Sequence, residues 1–286
     1  MRSRRKFFTN LWLVLAMIPI LFFIYGPLVW LASSSISTRA DLLAVPARLF
    51  PAHPTLKNYT DILMPGKGVS DVARTFKATL VNSLIVSIST TAICLLLACL
   101  AAYALARLRL RYKDHFIIGI LSVRMIPEIS LVIPLFIMAA RLGWLDKPIV
   151  LIVTYLSFAL PFATWMLTTF FETIPVELED AALIDGSSRL NTLFKIILPL
   201  AAPGIVSTAL FIFLLAWDEF FFALIFTSTV ASKTVPVAIA EFTGRYAVDI
   251  TAMMAGGVLA ALPPVILALI FQRYIVSGLS AGAVKG

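Results

Sequence analysis

Residues 177–200 read ELEDAALIDGSSRLNTLFKIILPL, and this stretch decides how the rest of the chain is read. Glu177, Glu179 and Asp180 open it, in or near the first turn of a helix that Pro175 suits as a starting residue. Acids there complement the positive end of the helix dipole. Leu178, Ala181, Ala182 and Asp185 recur at i, i+3, i+4 and i+7 and so share one helical face. Gly186 stands where a left-handed residue ends a helix. Ser187 or Ser188 is placed to cap a second helix running to Leu198, with Pro199 at its junction with an apolar block. A helix lying flat on a membrane carries Lys or Arg on its polar face and large apolar residues opposite. The acidic, alanine-striped first helix instead fits contact with another protein.

On either side the chain is written for lipid. Of its 286 residues 60% are hydrophobic and 13% charged, against about 25% charged in a soluble domain. The mean hydropathy is +0.98. The apolar residues gather in blocks of roughly 20, the length that crosses a bilayer core. Six such blocks lie at about 11–32, 79–106, 116–140, 149–171, 200–227 and 251–276. They predict an all-α polytopic membrane protein, with residues 1–286 forming one transmembrane domain and 175–199 its polar insertion. Basic residues precede the first block and LASSS comes after it, as in a secretory leader. The block is too long for a leader's apolar region, so it is expected to stay as a span. No period of 20–50 residues repeats.

The net charge is +8, yet its distribution argues against a nucleic-acid surface. Arg2, Arg4, Arg5 and Lys6 precede the first block, and Arg107, Arg109, Arg111 and Lys113 come after the second. Short basic clusters at membrane edges hold loops in the cytoplasm. The N-terminus, 107–115, 172–199 and the tail are therefore expected inside, and the loop 141–148 outside. Loop 33–78 holds six basic residues, but long segments cross largely regardless of charge. Within that loop, PAHPTLKNYTDIL reads as a short ordered element. Cys94 and Cys99 lie on different faces of an apolar block and read as inert thiols. His53 and His115 have no ligand spacing, so no metal site is expected. No Gly-x4-Gly-Lys-Ser/Thr loop occurs, so no nucleotide site is expected.

Charges inside the apolar blocks are candidates for function, because unpaired charge in lipid is costly. Asp218 and Glu219 lie in the fifth block. Arg124 and Glu128 lie in the third, four residues apart and so on one helical face, with Pro127 between them. Each pair reads either as a structural contact or as part of a translocation path.

The spacing Asp180-Ala181-Ala182, three residues, Gly186, nine residues, Ile196, one residue, Leu198-Pro199 resembles the cytoplasmic motif of ABC importer permeases. Asp180 stands where that family has Glu. NSLIVS (82–87), AAYALARL (101–108), AWDEFFFAL (216–224) and the tail GLSAGAVKG (278–286) are similar to the carbohydrate-type branch. The six blocks and the tail resemble the smaller member of the maltose-type permease pair. Asp218 stands where that branch often has Asn.

The resemblance implies the type I ABC importer permease fold with a cytoplasmic coupling helix. Its contact residues are Glu179, Asp180, Ala181, Ala182, Asp185 and Gly186, then Ile196, Leu198 and Pro199. The implied partners are a cytoplasmic ABC ATPase dimer, a second homologous permease, an extracytoplasmic solute-binding protein and membrane lipid. ATP and Mg belong to the ATPase, and this chain is a transport subunit that binds no cofactor. The place implied is a bacterial inner membrane, with both termini cytoplasmic. Loop 228–250 is either a connector or a handover surface, with Glu241, Phe242 and Arg245 as its candidates. The cargo implied is a sugar, polyol, glycoside or anionic sugar. A secondary transporter using the intramembrane acids as ion sites is the alternative. It leaves the 175–199 motif unexplained, and no inverted repeat is visible. A membrane-embedded enzyme lacks a catalytic cluster.

Overall fold

The structure, a computed structural model, describes residues 2–46, 48–108, 110–243 and 249–283. Its regular elements are helices. Among the described residues, four helices are long and apolar enough to cross a membrane: Leu15–Ser35, Asp71–Arg107, Pro148–Glu172 and Ile250–Tyr274. Two further spans are broken. Lys113–Met125 meets Glu128–Arg141 at 88°, and Arg189–Leu200 meets Ala202–Asp218 at 81°; each pair taken as one span gives six.

The 81° bend falls at the junction expected at Pro199, whereas the third and fifth blocks are interrupted internally, at Ile126–Pro127 and at Glu219, where the sequence predicts single spans; the backbone gives the reason. Pro127 has no N–H and disfavours the helical region for the residue before it, so Ile126 is extended at ψ 123°. In the fifth block the helix Ala202–Asp218 stops at Glu219, extended at ψ 124°, and a short helix restarts at Phe221–Phe226. Pro19, Pro27, Pro134, Pro161, Pro263 and Pro264 stay inside helices. Membrane helices tolerate Pro when neighbours satisfy the freed carbonyl.

The chain divides into two compact units, residues 1–77 with 238–262 and residues 78–237 with 263–286. In the first, the serines of the predicted LASSS edge form a polar knot. Ser33, Ser34, Ser35 and Ser37 are buried. Asn58, on the short helix Lys57–Leu63, donates to the carbonyls of Ser35 (2.8 Å) and Ser37 (2.9 Å). Ser35 and Tyr59 share a hydroxyl hydrogen bond of 2.6 Å. The ordered element expected in PAHPTLKNYTDIL is this helix. Asp249 accepts from Ser70 (2.9 Å) and from the Ala252 amide (3.2 Å), which caps the helix beginning at Ile250.

The second unit is packed through small residues. Ala98, Ala102, Ala159 and Ala163 let helices Asp71–Arg107 and Pro148–Glu172 approach closely around Leu167, Phe171, Leu193 and Ile212. Gly204 meets Phe170 so tightly that a Cβ would stand 2.3 Å from the ring. A second cluster gathers Tyr155, Phe158, Phe222 and Phe226, with Phe158 stacked on Phe222 at 5.3 Å. Cys94 and Cys99 are free and buried, as expected.

Candidate functional site

The 175–199 segment folds as its residues direct. Pro175 precedes the helix Val176–Ile184, one position earlier than the sequence placed it, and Glu177 and Glu179 occupy the first turn. Gly186 has φ +83°, a conformation that only glycine adopts without strain. The Ser187 amide donates to Ala182 (2.9 Å) and the Gly186 amide to Leu183 (3.1 Å), closing the last turn with two bonds. Ser188 caps the next helix, Arg189–Thr192, its hydroxyl accepting from the Asn191 amide at 3.3 Å. The chain then runs through a wider turn at Leu193–Ile197 into Leu198–Leu200. Ile196 and Leu198 are half-buried and Pro199 is exposed.

The helix Val176–Ile184 has two unlike faces. Leu178, Asp180, Ala181, Ile184 and Asp185 are exposed. Glu179 and Ala182, both expected among the ATPase-contact residues, are buried within this chain. Glu179 faces the protein's own interior. Its Oε2 lies 3.0 Å from Arg107 Nε, with side chains only 4% and 5% exposed. Tyr103 donates its hydroxyl to Glu179 Oε1, and Arg107 Nη2 donates to the Ile174 carbonyl at 2.8 Å. The helix is therefore locked to the Arg107 end of Asp71–Arg107. Arg107, expected as a membrane-edge charge, is the interior partner of this lock. Lys113, from the same basic cluster, pairs with Glu172 at the surface. Arg109 lies outside the described residues.

Arg124 and Glu128 do not share a helical face, because the chain breaks between them at Ile126 and Pro127. No ion pair joins them among the described residues. Arg124 places its guanidinium 5.5 Å from the Phe162 ring centre. Glu128 is exposed in the first turn of Glu128–Arg141. Asp218 ends its helix exposed. Glu219 is engaged: Tyr155 donates to it at 2.6 Å, and the amides of Phe222 and Ala223 donate at 2.9 and 3.2 Å. This carboxylate caps the restarted helix and ties it to Pro148–Glu172.

Two residues carry a contact that no sequence signal marked. Asp146, in the turn between Glu128–Arg141 and Pro148–Glu172, is left-handed at φ 59°. Its Oδ1 accepts from the amides of Ser228 (2.8 Å) and Thr229 (2.9 Å) and from the Ser232 hydroxyl. Burial acts to raise this carboxyl, but those three bonds outweigh it and hold it well below the usual carboxylate range. Asn82 donates to the carbonyls of Val230 (2.8 Å) and Lys233 (3.0 Å). The start of loop 228–250 is thus tied down, and the loop contains a helix, Val235–Glu241. Phe242, expected on a handover surface, is 2% exposed and packs on Phe76 at 5.7 Å, so it is a core residue. Glu241 is half-buried, and Arg245 lies outside the described residues.

Comparison with known proteins places this geometry. A family model described as the binding-protein-dependent transport system inner membrane component matches residues 94–281. The chain is 40% identical to the sulfoquinovosyl glycerol transport system permease protein SmoH of Agrobacterium fabrum, over 91% of this chain and 88% of that one. It is 41% identical to the trehalose/maltose transport system permease protein MalG of Thermococcus litoralis, over 91% of each. Among solved structures, a chain of a bacterial ABC transporter involved in import of the acidic polysaccharide alginate matches with TM-score 0.78 and 21% identity. That match covers 96% of this chain and 98% of that one.

Proposed function

We propose that this chain, which belongs to the binding-protein-dependent transport system inner membrane component family, is the permease subunit of an ABC importer for a sugar or sugar-like solute. The observation that carries the mechanism is the two-faced helix Val176–Ile184. Its exposed side offers a hydrophobic and acidic surface, Leu178, Asp180, Ala181, Ile184 and Asp185, to a partner. Its buried side is held by Glu179 to Arg107, so force on the exposed side reaches a membrane-spanning helix. In this reading a cytoplasmic ATPase dimer binds ATP and Mg and moves the helix. A second permease completes the path, and an extracytoplasmic solute-binding protein delivers cargo. The chain itself takes no cofactor, sits in a bacterial inner membrane and keeps both termini cytoplasmic. Arg124, Glu128 and Asp218 remain candidates for the path.

Relatives named for trehalose, maltose and sulfoquinovosyl glycerol support a glycoside cargo. The ion-coupled alternative is weakened at Glu219, which already accepts from a hydroxyl and two amides within its own chain. Purification tests the reading. The chain should co-purify with an ATPase and a second permease, and Asp180→Lys should release the ATPase while the subunit still inserts. A chain that purifies alone, or an Asp180→Lys complex as tight as wild type, contradicts it.

A further inference from the structure

Three aromatic rings and one guanidinium form a single cluster in the second unit. Phe162 is its centre. Phe211 lies 4.3 Å away between ring centres and Trp165 5.7 Å away, and the Arg124 guanidinium sits 5.5 Å from the same ring. Trp165 is 41% and Phe211 37% exposed, and Arg124 is exposed. Phe162 lies roughly 21 Å from one end of its helix and roughly 15 Å from the other, at about 1.5 Å per residue. The cluster is therefore at the depth of the hydrocarbon core.

Two independent observations say that this surface does not face acyl chains. A guanidinium at that depth is costly in lipid, and no ion pair neutralises Arg124 among the described residues. The third span also breaks by 88° beside it. Irregular backbone at membrane depth occurs only where protein buries it or it lines water. Open rings and a five-donor guanidinium beside a broken span match one ligand chemistry. A pyranose has an apolar face of C–H groups that lies flat on aromatic rings. Its rim of hydroxyl or carboxylate oxygens accepts hydrogen bonds from a group such as Arg.

We infer that Phe162, Trp165 and Phe211, with Arg124 at their edge, form a sugar-stacking platform on the translocation path. The inference rests on the sugar-importer reading above. On this platform the rings hold the sugar by shape and contact rather than by deep hydrogen bonding, which suits a site that must also release its cargo. Arg124 reads the oxygen rim.

The test uses the assembled complex of permeases and ATPase in proteoliposomes, with its solute-binding protein. The probe sugars are maltose, trehalose and sulfoquinovosyl glycerol. Trp165→Cys and Phe211→Cys should react with a charged, membrane-impermeant thiol reagent in at least one nucleotide state, while Cys94 and Cys99 are buried. A carried sugar should slow that reaction. Trp165→Leu and Phe211→Leu should assemble at wild-type yield yet take up sugar about tenfold less well, and Tyr at either position should restore most of it. No labelling in any state means that lipid or a partner covers the rings, and the platform falls. Labelling indifferent to a carried sugar, or leucine variants with wild-type uptake, overturns it equally. In those cases wild type still moves sugar and the importer reading stands. A wild-type complex that moves none of the three sugars sinks the importer reading and the platform with it.

Discussion

Removing Glu179 should separate folding from coupling. Glu179 and Arg107 are an ion pair at 3.0 Å with side chains 4% and 5% exposed, so solvent screens little of their attraction. Deleting one partner of such a buried pair leaves the other charged in a dry site and costs about 3–5 kcal/mol. On that scale, Glu179→Leu shifts the balance between a seated and an unseated helix by roughly two to four orders of magnitude. Arg107→Met should cost a similar amount. The double variant replaces the pair by apolar bulk and should recover most of the lost stability. It should not recover function fully, because Tyr103 and the Ile174 carbonyl then have lost the groups they bond. The assay is twofold: thermal midpoints of the purified complex, and sugar moved per ATP hydrolysed. Both single variants should lower the midpoint and the transport ratio, and the double should restore the midpoint but not the ratio. Single variants as stable and as tightly coupled as wild type would refute the reasoning.

Gly186→Val forces a β-branched side chain into φ +83°, where even an ordinary L-residue loses about 1–2 kcal/mol. The variant should insert but hydrolyse ATP with little uptake, and Gly186→Asn should be milder in the same assay. Gly204→Ala places a methyl 2.3 Å from the Phe170 ring, so it should lower the thermal midpoint, and adding Phe170→Leu should restore much of it. Asp146 titrates well below the usual carboxylate value near 3.9, so its contribution is complete above that value and is lost only as pH falls through its lower folded pKa. Hydrogen-exchange protection of the Ser228 and Thr229 amides should therefore be flat from neutral pH to about pH 5 in its equilibrium part and vanish in Asp146→Ala.

How much could be read from the sequence depends on how local each cause is. The turn at Gly186 and the cap depend on their own residues and immediate neighbours, so the local sequence places the turn and narrows the cap to Ser187 or Ser188, of which the structure uses Ser188. The six apolar blocks reflect bilayer thickness. The breaks do not: Pro127 opens its span while Pro134 and Pro161 stay inside helices, so a proline by itself does not mark a break. Glu179 and Arg107 meet from positions 72 residues apart, by the numbering of the pair, and neither periodicity nor spacing joins them. Phe242 reads as a polar-loop aromatic until Phe76 is known to lie against it. Asp146 is one acid in a short turn, and only its distant loop reveals why it is there.

The central claim is that this chain moves sugar by force received from an ATPase. Uptake of labelled maltose or trehalose by the reconstituted complex, with ATP and an imposed proton or sodium gradient supplied separately, tests it most directly. The account predicts accumulation with internal ATP and loaded binding protein, and none with either ion gradient alone. Accumulation driven by a gradient in the absence of ATP would contradict it.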